Sequence, residues 1–151
     1  MPYELLNRAP LNRVVGAPPV RALLVHLLGE RCATEEICWF RISPPGGSAI
    51  ARIHRDSRAS SPLSISVDAM LTEFTEQNGA TELWAGTQHA PDRSQNESDE
   101  ARRLADIRPS TIAGPAGTVV LRDERAWHRA GTNRTSANRC MFSSPGWKSR
   151  S

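Results

Sequence analysis

One segment of this chain can bury a single face only as a β-strand. Every second residue from Leu63 to Leu71 is aliphatic, and nearly all the residues between them are polar. A period of two is typical of a strand with one buried face, and it excludes an amphipathic helix here. Asn78 and Gly79 follow as a strong turn pair, so we expect a hairpin between this strand and Ala80–Ala85.

Further short strands are predicted where β-branched and aromatic residues are bounded by turn formers. These segments are Glu36–Ile42, Ser48–His54, Thr118–Leu121, Trp127–Ala130 and Arg139–Ser143. Apolar residues at helical spacing predict a short helix over Pro19–Glu30, ending near Gly29. The polar run Ala90–Arg108 is expected to be solvated, with a helical turn or more. Many short strands and little helix predict an all-β sandwich or jelly roll.

The length and the cysteines limit the class of protein. A chain of 151 residues predicts one domain, residues 1–151. No apolar run approaches the roughly 20 residues of a membrane span, and the N-terminus lacks a signal-peptide layout. Three cysteines without a CxxC pair fit reduced thiols. We expect a cytoplasmic protein that does not span a membrane. The sequence leaves open whether the protein forms a homo-oligomer.

The charge of the chain does not by itself indicate a nucleic-acid partner. The formal net charge is +3 at pH 7, and Lys148 is the only lysine among 19 basic residues. The arginines are interleaved with acidic residues, as in Arg93–Arg103 and Arg122–Arg125. Basic residues also do not alternate with aromatic ones, as they do in proteins that bind single strands. We therefore expect no nucleic-acid partner.

Two of the four histidines are candidate metal ligands. In an extended strand His54 and Asp56 would point to the same side, and His128 is the best remaining third ligand. Two histidines and one carboxylate form the facial arrangement of non-haem Fe(II) oxygenases. The alternatives are a buried, hydrogen-bonded His128 and a surface ion-pair cluster. That cluster would join His54 and Asp56 to Arg52, Arg55 and Arg58.

Arg139 strengthens the interpretation as a metal site. It follows His128 across a turn-rich segment that contains Gly131, Asn133 and Asn138, so we expect it on the adjacent strand. A guanidinium beside such a metal suits the distal carboxylate of an organic acid, which it can bind through two parallel hydrogen bonds. The alternative is a surface ion pair with an acidic residue.

Four linked motifs together resemble one enzyme family. They are IHRD at Ile53–Asp56, FTEQNGAT at Phe74–Thr81, AGTQH at Ala85–His89 and WHRAGTNRTSANR at Trp127–Arg139. In this order they resemble the phytanoyl-CoA dioxygenase family of Fe(II)/2-oxoglutarate oxygenases, over about residues 18–143. The resemblance implies a double-stranded β-helix, a cupin-like jelly roll, with the short helix before it.

The same resemblance implies the site residues. Fe(II) would be held by the catalytic residues His54, Asp56 and His128, and the cosubstrate 2-oxoglutarate by Arg139. Thr81 is a second candidate contact of 2-oxoglutarate, with an ordinary strand threonine as the alternative. O₂ is then the oxidant in the hydroxylation or desaturation of an unactivated C–H bond in a small organic or secondary metabolite, with succinate and CO₂ as coproducts. The presence of Asp56 favours these reactions over halogenation.

The chain also departs from the family pattern. Ala85 and Gln88 replace a common proline and histidine, and Ala51 or Arg52 stands where a cosubstrate-binding glutamine is usual. Most of the family's helical lead-in is missing, so the domain is expected to be truncated, with an incomplete substrate pocket.

Two other functions stay open at this point. One is a non-catalytic jelly roll that binds a metal or a small ligand. The other is a zinc hydrolase with the same three ligands and a bound water. Arginines near the motifs favour an anionic substrate, with simple solvation as the alternative. They are Arg52, Arg55, Arg58, Arg125 and Arg129.

Overall fold

Short strands dominate the part of the chain that the structure describes. The structure is a computed structural model that describes residues 13–34, 38–90 and 97–150. Its helices with defined bounds are α1 (Pro18–Leu28) and α2 (Glu97–Ala105), and a 3-10 turn spans Thr87–His89. The strands are β1 (Trp39–Ser43), β2 (Ile65–Met70), β3 (Thr81–Leu83), β4 (Ser110–Ile112), β5 (Val119–Asp123), β6 (His128–Ala130) and β7 (Arg139–Trp147).

The strands form two antiparallel sheets. The larger sheet has the order β1-β7-β2-β5, and the smaller has the order β4-β3-β6. A cavity takes its walls from both sheets, for example from Arg139 of β7 and His128 of β6. The prediction of an all-β fold with a short N-terminal helix is therefore confirmed. Of the strand predicted over Glu36–Ile42, residues 36 and 37 lie outside the described residues.

Helix α1 agrees with the predicted amphipathic segment. It ends before Gly29, which adopts a φ of 88° and donates its N–H to the Val25 carbonyl at 2.8 Å. Glycine has no Cβ and therefore adopts a positive φ without a steric clash, which is why it commonly ends helices. The buried residues Leu24 and Leu28 pack in one cluster with Val67 of β2. Helix α1 thus covers the outer face of the larger sheet.

Strand β2 carries the alternating pattern, but both of its faces are buried. Its aliphatic residues Ile65 and Val67 pack in the cluster that contains α1. Its polar residues Ser66 and Asp68 line the cavities next to the sheet. The expectation of a half-buried strand is wrong because the polar face borders an internal site instead of bulk solvent.

The predicted hairpin between residues 63–72 and 80–85 does not form. Strand β2 pairs with β5 and β7, whereas β3 pairs with β4 and β6 in the other sheet. The turn itself is present: the Asn78 side chain accepts from the Thr75 N–H at 2.8 Å and donates to the Glu73 carbonyl. A Cβ on Gly79 would lie 2.3 Å from the Gly131 carbonyl oxygen. The turn therefore connects β2 of the larger sheet to β3 of the smaller one and lies in close backbone contact with the residue after β6.

Helix α2 is more than a solvated stretch. Leu104 is only 1% exposed and packs between Trp84 and Trp127. The indole of Trp84 donates to the Ile107 carbonyl at 2.8 Å, just after the helix. The rest of the helix surface carries charged residues such as Arg102 and Asp99, as expected. Within the described ranges, no helix has the length and apolar character needed to cross a bilayer.

Candidate metal centre

Two histidines from distant parts of the sequence are joined by their backbones. His54 and His128 form an isolated antiparallel bridge with two hydrogen bonds, of 2.9 and 2.8 Å, and their ring centroids are 4.3 Å apart. His128 is the first residue of β6, whereas the predicted strand Ser48–His54 is reduced to this single bridge. The bridge fixes the two imidazoles side by side.

The hydrogen bonds of the rings leave the same nitrogen available on each histidine. His54 Nδ1 lies 2.9 Å from the Arg52 carbonyl oxygen, and His128 Nδ1 lies 3.0 Å from the Ala126 carbonyl oxygen. A carbonyl can only accept, so Nδ1 carries the proton in both hydrogen bonds. On His128 the shorter contact decides the assignment: Arg122 Nη1, itself a donor, also lies 3.3 Å from Nδ1 and then makes no hydrogen bond to it. Each Nε2 then presents a lone pair, which is the arrangement found in histidines that bind metals.

Asp56 completes a cluster of three candidate ligands. Its Oδ1 is 3.6 Å from His54 Nε2, and its Oδ2 is 3.6 Å from His128 Nε2. The candidate ligand atoms all lie within 4.8 Å of one another. The Asp56 side chain is 33% exposed, so the cluster opens on one side. In the part of the chain that the structure describes, this is the single such group, and neither His26 nor His89 belongs to it.

Arg122 is the nearest charged neighbour of this cluster, and sequence reasoning missed it. Its Nη2 donates to Asp56 Oδ2 at 2.9 Å, and its Nε lies 3.5 Å from Asp68 Oδ2. Asp68 is fixed in turn by hydroxyl donors from Ser66 at 2.8 Å and Ser143 at 2.5 Å. The arginine that pairs with Asp56 is thus a buried one, which disagrees with the surface cluster considered from the sequence.

The surroundings favour a neutral His128 and an ionised Asp56. Burial lowers the pKa of His128 to about 3, and the positive charge of Arg122 acts in the same direction. Burial by itself would raise the pKa of Asp56, but the charge and hydrogen bond of Arg122 outweigh it, so the pKa is lowered. These are the protonation states that metal binding requires.

Acid should destabilise the metal-free protein through His128. Its pKa is about 3 in the folded protein and 6.5 ordinarily, so between these values the unfolded chain takes up a proton that the folded protein does not. From pH 8 to pH 5 this lowers the free energy of unfolding by about 2 kcal/mol. Urea unfolding in EDTA at both pH values measures the change. His128→Gln should lose most of it, and an equal pH effect in both proteins would contradict the assignment.

Arg139 lies deep between the sheets with unused hydrogen-bonding capacity. It is 1% exposed, its Nη2 donates to Ser43 Oγ at 2.6 Å, and its guanidinium lies 4.3 Å from the centre of the Phe74 ring. Its Nε and Nη1 are buried without a hydrogen-bond partner. Burial lowers its pKa. A buried cation with two unused donors is costly, and an anion bound beside it would remove that cost.

The inner cavity connects Arg139 to the histidines. It has a volume of about 40 Å³, and Arg139, Thr81, His54 and His128 are among its lining residues. Arg139 begins β7 of the larger sheet and His128 begins β6 of the smaller one. The expectation that the two residues lie on adjacent strands is therefore wrong. They approach each other because the two sheets face the same cavity.

An outer cavity lies on the open side of the cluster. Its volume is about 430 Å³, and its walls include His54, Asp56 and Arg122. The rim is formed in part by Trp39, which is 52% exposed. Arg41 lines both the outer and the inner cavity. The candidate ligands therefore lie between a narrow inner chamber and a larger space open to solvent.

Comparison with known protein families agrees with this arrangement. A family model described as phytanoyl-CoA dioxygenase (PhyH) matches residues 3–141. The chain belongs to the phytanoyl-CoA dioxygenase family. The resemblance carried by the four sequence motifs is thereby confirmed, and the two facing sheets are those of a cupin-like family member.

Solved structures support the fold. AviO1 from Streptomyces viridochromogenes Tue57 is 19% identical, with a TM-score of 0.76; the match covers 96% of this chain and 63% of AviO1. EctD from S. alaskensis, solved with 2-oxoglutarate and 5-hydroxyectoine, is 19% identical, with a TM-score of 0.75 and coverage of 97% and 55%. ThoJ, a non-haem monooxygenase, is 17% identical, with a TM-score of 0.74 and coverage of 99% and 58%. The chain spans less than two thirds of each.

Proposed function

We propose that this chain is an Fe(II)/2-oxoglutarate-dependent dioxygenase that hydroxylates or desaturates a small organic molecule. The observation that carries the proposal is one cavity in which both histidines of a His-Asp-His cluster face a buried arginine with two unused donors. The cluster offers two neutral nitrogens and a carboxylate, the donor set suited to non-haem iron. The arginine offers unpaired N–H donors and a positive charge to an anion in the same cavity.

His54, Asp56 and His128 are the residues that would hold the metal. Their donor atoms fit it because both Nδ1 protons are engaged by backbone carbonyls, which leaves each Nε2 free to bind. The chemistry supplied by such a centre is oxidation of an unactivated C–H bond by O₂, while 2-oxoglutarate is converted to succinate and CO₂. The protein contributes three ligands, orientation and restricted water access.

Arg139 would bind the distal carboxylate of 2-oxoglutarate. Its Nη2 is held by Ser43, so the guanidinium keeps one orientation, with Nε and Nη1 unpaired. Thr81 lines the same cavity and could donate its hydroxyl to the bound acid. Buried residues such as Phe74, Met70 and Met141 close this end of the site against water. A dry environment strengthens the ion pair between guanidinium and carboxylate.

Arg122 would act through Asp56 as a positioning residue. It occupies one carboxylate oxygen of Asp56 and is itself balanced by Asp68. Holding the carboxylate in one rotamer reduces the reorganisation needed when a metal binds. Arg122 also keeps the carboxyl group ionised, as its effect on the Asp56 pKa indicates.

The proposal also covers the binding partner of the protein and its cellular compartment. The partner would be a small-molecule substrate, which the outer cavity beside Asp56 could hold. Cys32, Cys38 and Cys140 are free thiols, which supports a reducing compartment such as the cytoplasm. Residues 1–151 would then form one oxygenase domain.

Asp56→Ala should reduce 2-oxoglutarate turnover to background. The substitution removes one of three ligands, whereas Arg122 keeps Asp68 as a counter-ion, so the fold should persist. The measurement is succinate formed from 2-oxoglutarate by iron-loaded protein in air, with circular dichroism as the test of folding. Arg125→Gln is a matched control, because Arg125 pairs with Asp123 at 2.7 Å.

Each outcome of this assay has a defined meaning. Iron-dependent succinate from the wild type, absent in Asp56→Ala, supports the oxygenase. Undiminished succinate from Asp56→Ala would remove Asp56 from the ligand set. A wild type that binds iron and 2-oxoglutarate but forms no succinate would favour the non-catalytic jelly roll. A hydrolase would need no 2-oxoglutarate, and the unpaired donors of Arg139 do not favour it.

A further inference from the structure

The outer cavity is large enough for a small organic molecule and borders the candidate metal ligands. Its volume of about 430 Å³ lies in the range of small-molecule pockets. Asp56 and His54 form part of its wall, so a molecule in this space would lie beside the ligand cluster. Trp39 supplies an aromatic, half-exposed surface at the rim.

Strand β1 carries a row of side chains that runs from the rim of this cavity to the buried Arg139 of the inner cavity. Trp39, Arg41 and Ser43 are alternate residues of one strand and therefore share a face. The register with β7 places Trp39 opposite Ser143 and Ser43 opposite Arg139. Arg41 thus stands between the outer space and the pocket of Arg139, as its presence in both walls also indicates.

The acidic residues near the cavity already have partners. Asp56 faces the two histidines and Arg122, and Asp68 is bound by Ser66, Ser143 and Arg122. Glu124 accepts from the Ser64 hydroxyl and from the Gly146 N–H. Among the described residues, none of these carboxylates forms an ion pair with Arg41 or Arg52.

The arginines that the sequence suggested as contacts of an anionic substrate differ in whether an acidic residue already compensates their charge. Arg125 pairs with Asp123, and Arg129 pairs with Glu82 at 2.6 Å, so the charges of both are compensated. By contrast, Arg41 and Arg52 line the outer cavity, and neither makes an ion pair within the described ranges of the chain. Arg41, which the sequence did not single out, thus joins Arg52 as an uncompensated positive charge beside the site.

We infer that the outer cavity binds an oxyanion, a carboxylate or a phosphate ester, between Arg41 and Arg52. Two guanidinium groups that line the same cavity can each donate paired hydrogen bonds to such a group. The remainder of the molecule would extend past the ligand cluster, with Trp39 as an apolar wall. Naming this molecule as the substrate rests on the proposed function, whereas binding of an acid does not.

The experiment compares an acid with its neutral isostere. The full chain is treated with EDTA and titrated calorimetrically with hexanoate, hexyl phosphate and hexanamide, then again after anaerobic loading with Fe(II) and 2-oxoglutarate. At least one of the acids should bind ten or more times more tightly than the amide, and the tighter acid identifies the headgroup. Arg41→Gln and Arg52→Gln should each weaken its binding about tenfold.

Controls separate this site from others. Arg125→Gln should bind the acid as the wild type does, because Arg125 is occupied by Asp123. Arg139→Gln tests the inner cavity instead: because Arg139 does not line the outer cavity, loss of the acid in this variant alone would place the acid beside Arg139. The proposal is overturned if acid and amide bind equally, if neither binds, or if only Arg139→Gln loses the acid. Because the first titration is metal-free, its result does not depend on whether the protein is an oxygenase.

Discussion

Replacing His128 with alanine is expected to abolish specific binding of one Fe(II) per chain. His128 supplies one of two Nε2 atoms in the cluster, and the substitution leaves only His54 and Asp56. Loss of residues that merely orient ligands costs 10–100-fold in metal affinity, so loss of a ligand itself should exceed about 100-fold. Anaerobic titration with Fe(II), followed by metal analysis after desalting, measures the effect.

His89→Ala is the matched control for that experiment. His89 lies in the 3-10 turn Thr87–His89 and is not part of the ligand cluster. The variant should retain iron at the wild-type stoichiometry. Retention of stoichiometric iron by His128→Ala, or its loss from His89→Ala, would show that the wrong histidine has been assigned.

Arg139→Gln should bind iron normally but need at least about 30-fold more 2-oxoglutarate. Removing one partner of a buried charge pair costs about 2–5 kcal/mol, and about 1.4 kcal/mol corresponds to a factor of ten. The guanidinium is 1% exposed, so little solvent is available to screen or replace the interaction. Lysine should rescue little, because a point charge cannot reproduce the two parallel hydrogen bonds.

The affinity for 2-oxoglutarate can be read spectroscopically. The metal-to-ligand charge-transfer absorbance of the iron-loaded protein is followed under anaerobic conditions in wild type, Arg139→Gln and Arg139→Lys. Arg125→Gln serves as the control, since Arg125 is paired with Asp123 and does not line the inner cavity. Equal dissociation constants in wild type and Arg139→Gln would remove Arg139 from the cosubstrate site.

Local features of the fold were predictable from the sequence, whereas strand partners were not. Helix α1 and its end at Gly29 follow from apolar spacing and from the conformational freedom of glycine. The Asn78–Gly79 turn was also predicted, but β2 and β3 lie in different sheets. A turn pair constrains only a few residues, while pairing between distant strands depends on contacts across the whole chain.

The sequence predicted the site residues that belong to a motif. It did not predict the residues that hydrogen-bond to them or balance their charge. His54, Asp56 and His128 do converge, although through a backbone bridge and not along one regular strand. Arg122 and Asp68 carry no motif. Their only signal is a charged residue at an inward position of a strand, and which face is inward is decided by tertiary packing. Arg41 was missed for the same reason.

The bridge between His54 and His128 couples metal binding to the ordering of the segment that connects β1 to β2. No strand lies between β1 and β2, and this long connection is held to β6 by the two hydrogen bonds of the bridge together with hydrogen bonds that join Ser48 and Ile50 to Ala130. A cation bound by both imidazoles would act as a crosslink that closes a large loop, so the entropy of that loop becomes part of the binding free energy. Affinity for the ion and protection of the His54 and His128 amides from hydrogen exchange are then two measures of one equilibrium.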